Sequence, residues 1–173
     1  MRTAETLTGP LAAPTTTGLP KAVIFDFDGT LADVAPFYDR FPADLTSRDP
    51  ELWDDYHEAT RHAAPIGWVL QLARMEARSG QAVLVVTARP ERWRDPTSFW
   101  LDRNPIPHTE LLMRAAGDHR PDAVMKGELL ADLRTRYDVL MAVDDRPSVV
   151  DFWRGSGLPT VHVPGWPANW PTR

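Results

Sequence analysis

The chain has no cysteine among its 173 residues, which removes thiol nucleophiles, thiolate-held zinc, iron–sulfur clusters and disulfide bonds together. Lysine is nearly absent: 17 of the 19 basic residues are arginine, leaving only Lys21 and Lys126. No apolar run approaches the ~18 residues of a membrane span, and the opening stretch MRTAETLTGPLAAPTTTGLP lacks the greasy core of a signal peptide. A cytoplasmic protein, away from membranes, is therefore expected. No G-x-x-x-x-G-K-[ST] loop occurs, so a kinase-type phosphate cradle is missing. Basic charge is not in excess either: the net charge of −5 argues against strong sequence-independent binding to long nucleic acid. His57 and His62 stand five apart, about 500° around a helix, so they point to different faces and cannot form an H-E-x-x-H zinc site; each reads as a surface or lid histidine. Gly155-Ser156-Gly157 falls between a helix and a strand, the wrong order for a dinucleotide loop, and reads as a helix stop.

What is present suffices for one domain with a sizeable core, at 43% hydrophobic and 25% charged residues. Residues 1–20 carry almost no large apolar side chains and are expected to be a disordered arm; residues 21–173 are expected to fold. AVIFD is a short apolar run stopped by acids and a glycine, as a buried parallel strand would be. AVLVV, LLMR, VLMAV and LPTVHV read as four further strands. Helices are expected over Ile66–Ser79, capped by Gly80, and over Pro96–Arg103, Asp122–Arg136 and Pro147–Arg154. Strands alternating with helices mean crossover connections, hence an α/β parallel sheet with helices on both faces. Residues 31–65 exceed what the first crossover needs; ELWDDYHEATRHA predicts an extra helix there, and a lid over a site is the expected reason for the insertion, with a plain surface excursion as the alternative.

In an open parallel sheet, ligands bind beyond the carboxyl ends of the strands. The first strand ends in Asp26-Phe27-Asp28-Gly29-Thr30, the second in Thr87-Ala88-Arg89 and the fourth in Asp144-Asp145-Arg146. Like charges so close cannot all stay ionised without a cation among them. A hard divalent ion resolves this, and Mg²⁺ suits a few carboxylates with waters and a phosphate. Beside Thr87 and Arg89, the remaining space suits a phosphoryl group.

These residues carry a resemblance. VIFDFDGTLAD resembles the first signature of the haloacid dehalogenase superfamily and VVTARP its second. Lys126 in AVMKGELL resembles the third, and VLMAVDDRPSVVD the fourth. The resemblance covers residues 22–163 and implies a Rossmann-like three-layer α/β/α fold, with a mostly parallel five-stranded sheet and a small helical lid. It implies a phosphatase in which Asp26 attacks phosphorus and Asp28 serves as general acid and base. Gly29 would turn the backbone so that its amides face phosphate oxygens. Asp26, the backbone carbonyl of Asp28, and Asp145 would hold Mg²⁺, with Asp144 either ligating through water or orienting a ligand. Thr87 and the amide of Ala88 would bind the phosphoryl oxygens, and Lys126 would neutralise nucleophile and phosphate.

Three longer stretches, TARPERWRDPTSFWLDRN, GDHRPDAVMK and YDVLMAVDDRPSVVDFWRGSGLPTVHV, are similar to the 3′-phosphatase domain of polynucleotide kinase–phosphatases. This implies that Arg89 clamps the phosphate and that Asp122 orients Lys126. A further arginine expected after the first motif is replaced by Phe37, with Arg40 as a stand-in three places on. The substrate implied is nucleotide-like, a polynucleotide 3′-phosphate or a nucleoside monophosphate; a sugar phosphate or other small metabolite phosphate is the alternative, and a fold kept for binding without turnover is a third. A separate kinase is a fitting partner. Residues 21–64 hold ten acids against four bases, whereas 89–120 holds six arginines and two histidines against five acids; a nucleic-acid groove would lie on the second side. Trp68 and Trp153 are expected in the core, Trp53, Trp93 and Trp100 near a nucleobase, and Trp166 and Trp170 in a strap folded back on the body.

Overall fold

A computed structural model of the chain describes residues 18–42 and 50–165. Most of the expected arm, as well as Trp166 and Trp170, lies outside the described residues. Five strands, β1 (Lys21–Phe25), β2 (Ala82–Pro90), β3 (Glu110–Arg114), β4 (Asp138–Asp144) and β5 (Thr160–His162), pair in the order β3-β2-β1-β4-β5. Every pairing is parallel. The helices are α1 (Asp54–Ala59), α2 (Gly67–Arg78), α3 (Arg94–Arg103), α4 (Asp122–Arg136) and α5 (Pro147–Gly155). Among the described residues no helix is long and apolar enough to cross a membrane.

Strand alternation divides the core in two. Val23, Phe25, Val83, Val85 and Val143 point to one face, where they meet Val69, Leu70 and Ala73 of α2 and Trp100 and Leu101 of α3. Ala22, Ile24, Leu84, Val86 and Ala142 point to the other, against Leu130 and Leu133 of α4 and Val149 and Trp153 of α5. Both faces are covered, so the strands read as unbroken apolar runs rather than alternating ones. The chain reverses direction across the sheet between β1 and β4, and the crevice beyond their carboxyl ends is where such sheets bind ligands.

The connection from β1 to α2 departs from its expected form. Instead of one helix over 51–63, a 3₁₀ turn at Pro50–Trp53 leads into the six-residue α1, followed by a second 3₁₀ turn at Thr60–His62. The Thr60 hydroxyl bonds back to the carbonyls of Tyr56 and His57, at 3.0 and 3.2 Å, which bends the chain there, and Pro65 bars continuation. Elsewhere the differences are at element ends. β2 runs on through Thr87–Arg89 to Pro90, and α3 starts at Arg94 with Pro96 in its first turn, where no amide donor is needed.

Candidate active site

The loop after β1 is tied by its own backbone: the amides of Leu31 and Ala32 donate to the Phe27 carbonyl, and the Gly29 amide donates to Ala32. Gly29 sits at φ +75°, and a Cβ there would collide with the Asp145 carboxylate. Glycine is thus demanded twice, by the left-handed backbone and by the space. The Asp26 amide donates to the carbonyl of Val143 at 2.9 Å, which brings the ends of β1 and β4 side by side.

Two groups of charges result. In the first, Asp26, Asp144 and Asp145 each place a carboxylate oxygen within 4.8 Å of the others, and all three are buried. The ammonium of Lys126, from the first turns of α4, donates to Asp26 Oδ1 at 2.7 Å and Asp144 Oδ2 at 2.8 Å. Asp144 is further held by the Trp153 indole at 3.0 Å and by the Arg146 amide at 3.1 Å. No salt bridge among the described residues engages Asp145. Burial, only partly offset by Lys126 and reinforced by Asp144, pushes the Asp26 carboxyl up to about 8. Burial, with Asp26 and Asp144 alongside, pushes Asp145 well above the ordinary carboxylate value. Desolvation works against the Lys126 ammonium, but Asp144 and Asp26 outweigh it and raise its pKa. One ammonium against three buried carboxylates leaves negative charge uncompensated, and an all-oxygen donor set fits a hard divalent cation.

The second group is organised around Asp28, whose side chain stands apart from that cluster. Arg89, itself 2% exposed, grips Asp28 in two parallel bonds, Nε to Oδ2 at 2.8 Å and Nη2 to Oδ1 at 2.7 Å. Its guanidinium also lies 4.4 Å over the Phe27 ring, and Nη2 donates to the Thr60 hydroxyl at 2.7 Å. The Tyr56 hydroxyl donates to Asp28 Oδ1 at 3.2 Å. Burial works against ionisation of Asp28, but Arg89 and these hydrogen bonds hold its carboxyl below the usual range. Burial and the neighbouring Asp28 push the Tyr56 phenol well above 10. The buried Thr87 hydroxyl accepts from the Arg89 amide at 3.2 Å, next to Ala88 on the same strand end.

Several expectations are corrected. Asp122 does not orient Lys126; it joins Arg114 of β3 to Arg146 at the head of α5. Arg114 also donates to the backbone carbonyls of Ala88, Asp118 and Arg120, so this ion chain fixes the β2, β3 and β4 ends relative to one another. Arg40 lies on the surface against Asp39 at 3.7 Å and is not brought to the strand-end carboxylates, while Phe37 packs against the core. His57 lies in the insertion, as its lid reading expected, but not at the surface: it is 6% exposed, its ring lies against Tyr56 and Trp93, and its Nδ1 has no hydrogen-bond partner. Burial, with Arg89 nearby, pushes its pKa down to about 3. Trp68 is 48% exposed, because α2 buries Val69, Leu70 and Ala73 and Trp68 falls on its outer side. Trp100 is 2% exposed and donates to the Ala63 carbonyl, closed to any base, whereas Trp153 is in the core as expected. Trp53 and Trp93 are half-buried, and Trp93 donates to Asp54 at 2.8 Å. Five of the six arginines of 89–120, Arg89, Arg92, Arg94, Arg114 and Arg120, are in ion pairs with nearby acids, while Arg103 is exposed.

Tyr56, Thr60 and Arg114 were missed in the sequence, as was the bond that Trp153 gives Asp144. Arg114 closes the third strand and was within reach of the strand-end rule that singled out the others. Tyr56 and Thr60 are one helical turn apart in the insertion, and nothing local marks which face of that segment turns inward.

The sequence profile of the family described as the polynucleotide kinase PNKP phosphatase domain matches residues 20–165. A protein of Autographa californica nuclear polyhedrosis virus, provisionally named a bifunctional polynucleotide kinase/RNA ligase, is 29% identical over 145 residues, covering 82% of this chain and 19% of that one. A solved structure of the Pnkp1/Rnl/Hen1 RNA repair complex contains a chain of 31% identity and TM-score 0.73, matched over 93% of this chain and 48% of that one. This chain therefore spans about half, or less, of the length of these relatives. At 16% identity, the class C acid phosphatase of Bacillus anthracis with tungstate bound shares the fold, with TM-score 0.61 over 84% of this chain and 67% of that one. The profile match runs from the residue before β1 to the last described residue, and the chain accordingly belongs to the polynucleotide kinase PNKP phosphatase-domain family, among the phosphatases of the haloacid dehalogenase superfamily.

Proposed function

We propose that this phosphatase is a Mg²⁺-dependent phosphomonoesterase that works through an aspartyl-phosphate on Asp26, and that its substrate is a nucleotide-like phosphate, foremost the 3′-phosphate end of a polynucleotide. The observation that carries the reading is the separation of the two charge groups, with an acid-rich cluster around Asp26 and a differently partnered carboxyl, Asp28, next to it. Asp26, the backbone carbonyl of Asp28 and Asp145 would hold the ion, leaving Asp144 to anchor Lys126. When bound, the ion supplies positive charge to the phosphoryl oxygens and to the nucleophile.

In the first step an Asp26 oxygen bonds to phosphorus while the bond from phosphorus to the leaving oxygen breaks, and Asp28 gives that oxygen its proton. Arg89 turns from Asp28 towards the dianionic phosphate, which frees Asp28 to carry that proton. Thr87 and the Ala88 amide bind the phosphoryl oxygens, and Lys126 offsets the charge that develops on them. In the second step Asp28 takes a proton from water, the water oxygen bonds to phosphorus, and the phosphorus–Asp26 bond breaks to release inorganic phosphate. The described parts of the insertion, residues 31–42 and 50–65, act as the lid. The paired arginines and the acidic lid favour capture of a terminal nucleotide over a long tract. The absence of cysteine suits a cytoplasmic setting, and phosphorylation of the 5′-hydroxyl ends facing these 3′ ends would fall to a separate kinase.

The test is phosphate release from 3′- and 5′-phosphorylated oligonucleotides, mononucleotides and sugar phosphates, with Mg²⁺ and with chelator. Preference for a 3′-phosphorylated oligonucleotide, lost on chelation, is expected; preference for sugar phosphates would overturn the substrate assignment.

A further inference from the structure

The insertion reaches the proposed general acid and its arginine partner through two side chains of the described residues. Tyr56 and Thr60, one turn apart at the end of α1, face inward and are buried at 3% and 0% exposure. Tyr56 donates to Oδ1 of Asp28, the oxygen that also receives Arg89 Nη2. Thr60 accepts from that same Nη2 at 2.7 Å, while its own proton goes to the carbonyls of Tyr56 or His57. The two side chains therefore act on one oxygen, Tyr56 directly and Thr60 through Arg89. Among the described residues, Oδ2 is bonded by Arg89 Nε alone.

We propose that Tyr56 is a positioning residue for the acid–base step, delivered by α1. Its phenol holds Oδ1 as a hydrogen-bond acceptor and so assigns Oδ2 as the oxygen that carries the proton to the leaving group. This rests on the reading of Asp28 as general acid. When Arg89 turns to the substrate phosphate, two of the three side-chain bonds to Asp28 are given up and the Tyr56 bond remains. A carboxyl free to rotate would present either oxygen, and a proton-transfer distance set within hydrogen-bond reach would be lost. Thr60 supports the same geometry by setting the position from which Arg89 departs. The insertion thereby completes the acid's surroundings rather than merely covering the site.

The experiment compares two substrates of different leaving-group quality in the full chain with Mg²⁺. A nucleoside 3′-monophosphate expels a sugar alkoxide and needs the proton; 4-nitrophenyl phosphate expels a stable phenolate and does not. The readout is the ratio of the two kcat/KM values, which does not depend on how much of a variant is folded. For Tyr56→Phe this ratio is expected to fall about tenfold, part of the ~10²–10⁴ that a general acid contributes, with Thr60→Val falling less. Asp28→Asn, measured in parallel, is expected to show a larger drop in the same ratio. If Tyr56→Phe leaves the ratio at the wild-type value while Asp28→Asn lowers it, the positioning role is refuted and the assignment of Asp28 stands. If Asp28→Asn leaves the ratio unchanged, the assignment of Asp28 fails and the proposal falls with it.

Discussion

Asp26 and Asp28 are separated by a single phenylalanine yet sit in opposite electrostatic regimes. Asp26 shares one ammonium with Asp144 and has Asp145 beside it, so burial prevails and its carboxyl is pushed up to about 8. Asp28 has a guanidinium gripping both its oxygens and a phenol besides, and stays below the usual range although it too is buried. The partners come from far along the chain: Lys126 is 100 residues from Asp26, and Arg89 is 61 from Asp28. Two identical side chains are thus given different partners and opposite pKa shifts by what the sheet brings against them. The cluster around Asp26 is short of positive charge and suited to a metal and a dianionic phosphate. The flank around Asp28 is balanced, and suited to exchanging one partner for another.

The contrast can be broken most severely at Asp26. Asp26→Asn should fold and release no measurable phosphate, and chelation of the wild type should do the same reversibly; Mg²⁺-dependent turnover in the variant would contradict the assignment. Lys126→Met comes next, because it leaves three buried carboxylates with no cation. In chelator it should lose about 3–5 kcal/mol in urea melts, and added Mg²⁺ should recover part of that. Equal losses with and without the metal would mean that the cluster does not take a divalent ion. Gly29→Ala should cost about 1–2 kcal/mol from the left-handed backbone alone, more from the collision with Asp145, and should weaken Mg²⁺ binding by calorimetry. An unchanged Tm would show that the loop and Asp145 can part freely.

The mildest test lies on the Asp28 flank and concerns His57. Its pKa is about 3 in the folded chain against 6.5 ordinarily, so between those values the unfolded chain binds the extra proton. Its stabilising contribution is therefore complete above about pH 6.5 and declines as the pH falls towards 3. From pH 7 to 5 this amounts to about 2 kcal/mol. His57→Gln should remove that much of the acid sensitivity in urea melts at the two pH values; an unaltered slope would place the origin in the ion-paired carboxylates instead.

The legible part of the site was the part written at strand ends. A run such as AVIFD must be buried on both faces, and the polar residues that stop it mark the sheet's carboxyl edge. Asp26, Thr87, Asp144 and Asp145 could be grouped in this way before any geometry was known. Trp68 shows the limit of helical spacing: the periodicity locates a buried stripe, but one residue's rotation decides whether a large ring is inside it. Asp122 shows another. One helical turn from Lys126 is close enough to orient it, yet the arginines that close β3 and open α5 offer Asp122 better partners.

By itself the sequence determined the parallel α/β sheet and the edge at which the chemistry gathers, because burial of apolar runs and the punctuation between them are local properties of the chain; the phosphatase reading came with the resemblance carried by the motifs at that edge. Only the tertiary structure decided that Arg89 grips Asp28, that Lys126 serves both Asp26 and Asp144, and that α1 turns Tyr56 and Thr60 inward. Those pairings depend on how distant segments pack, and a charge finds its partner only after the core beneath it has fixed the distances.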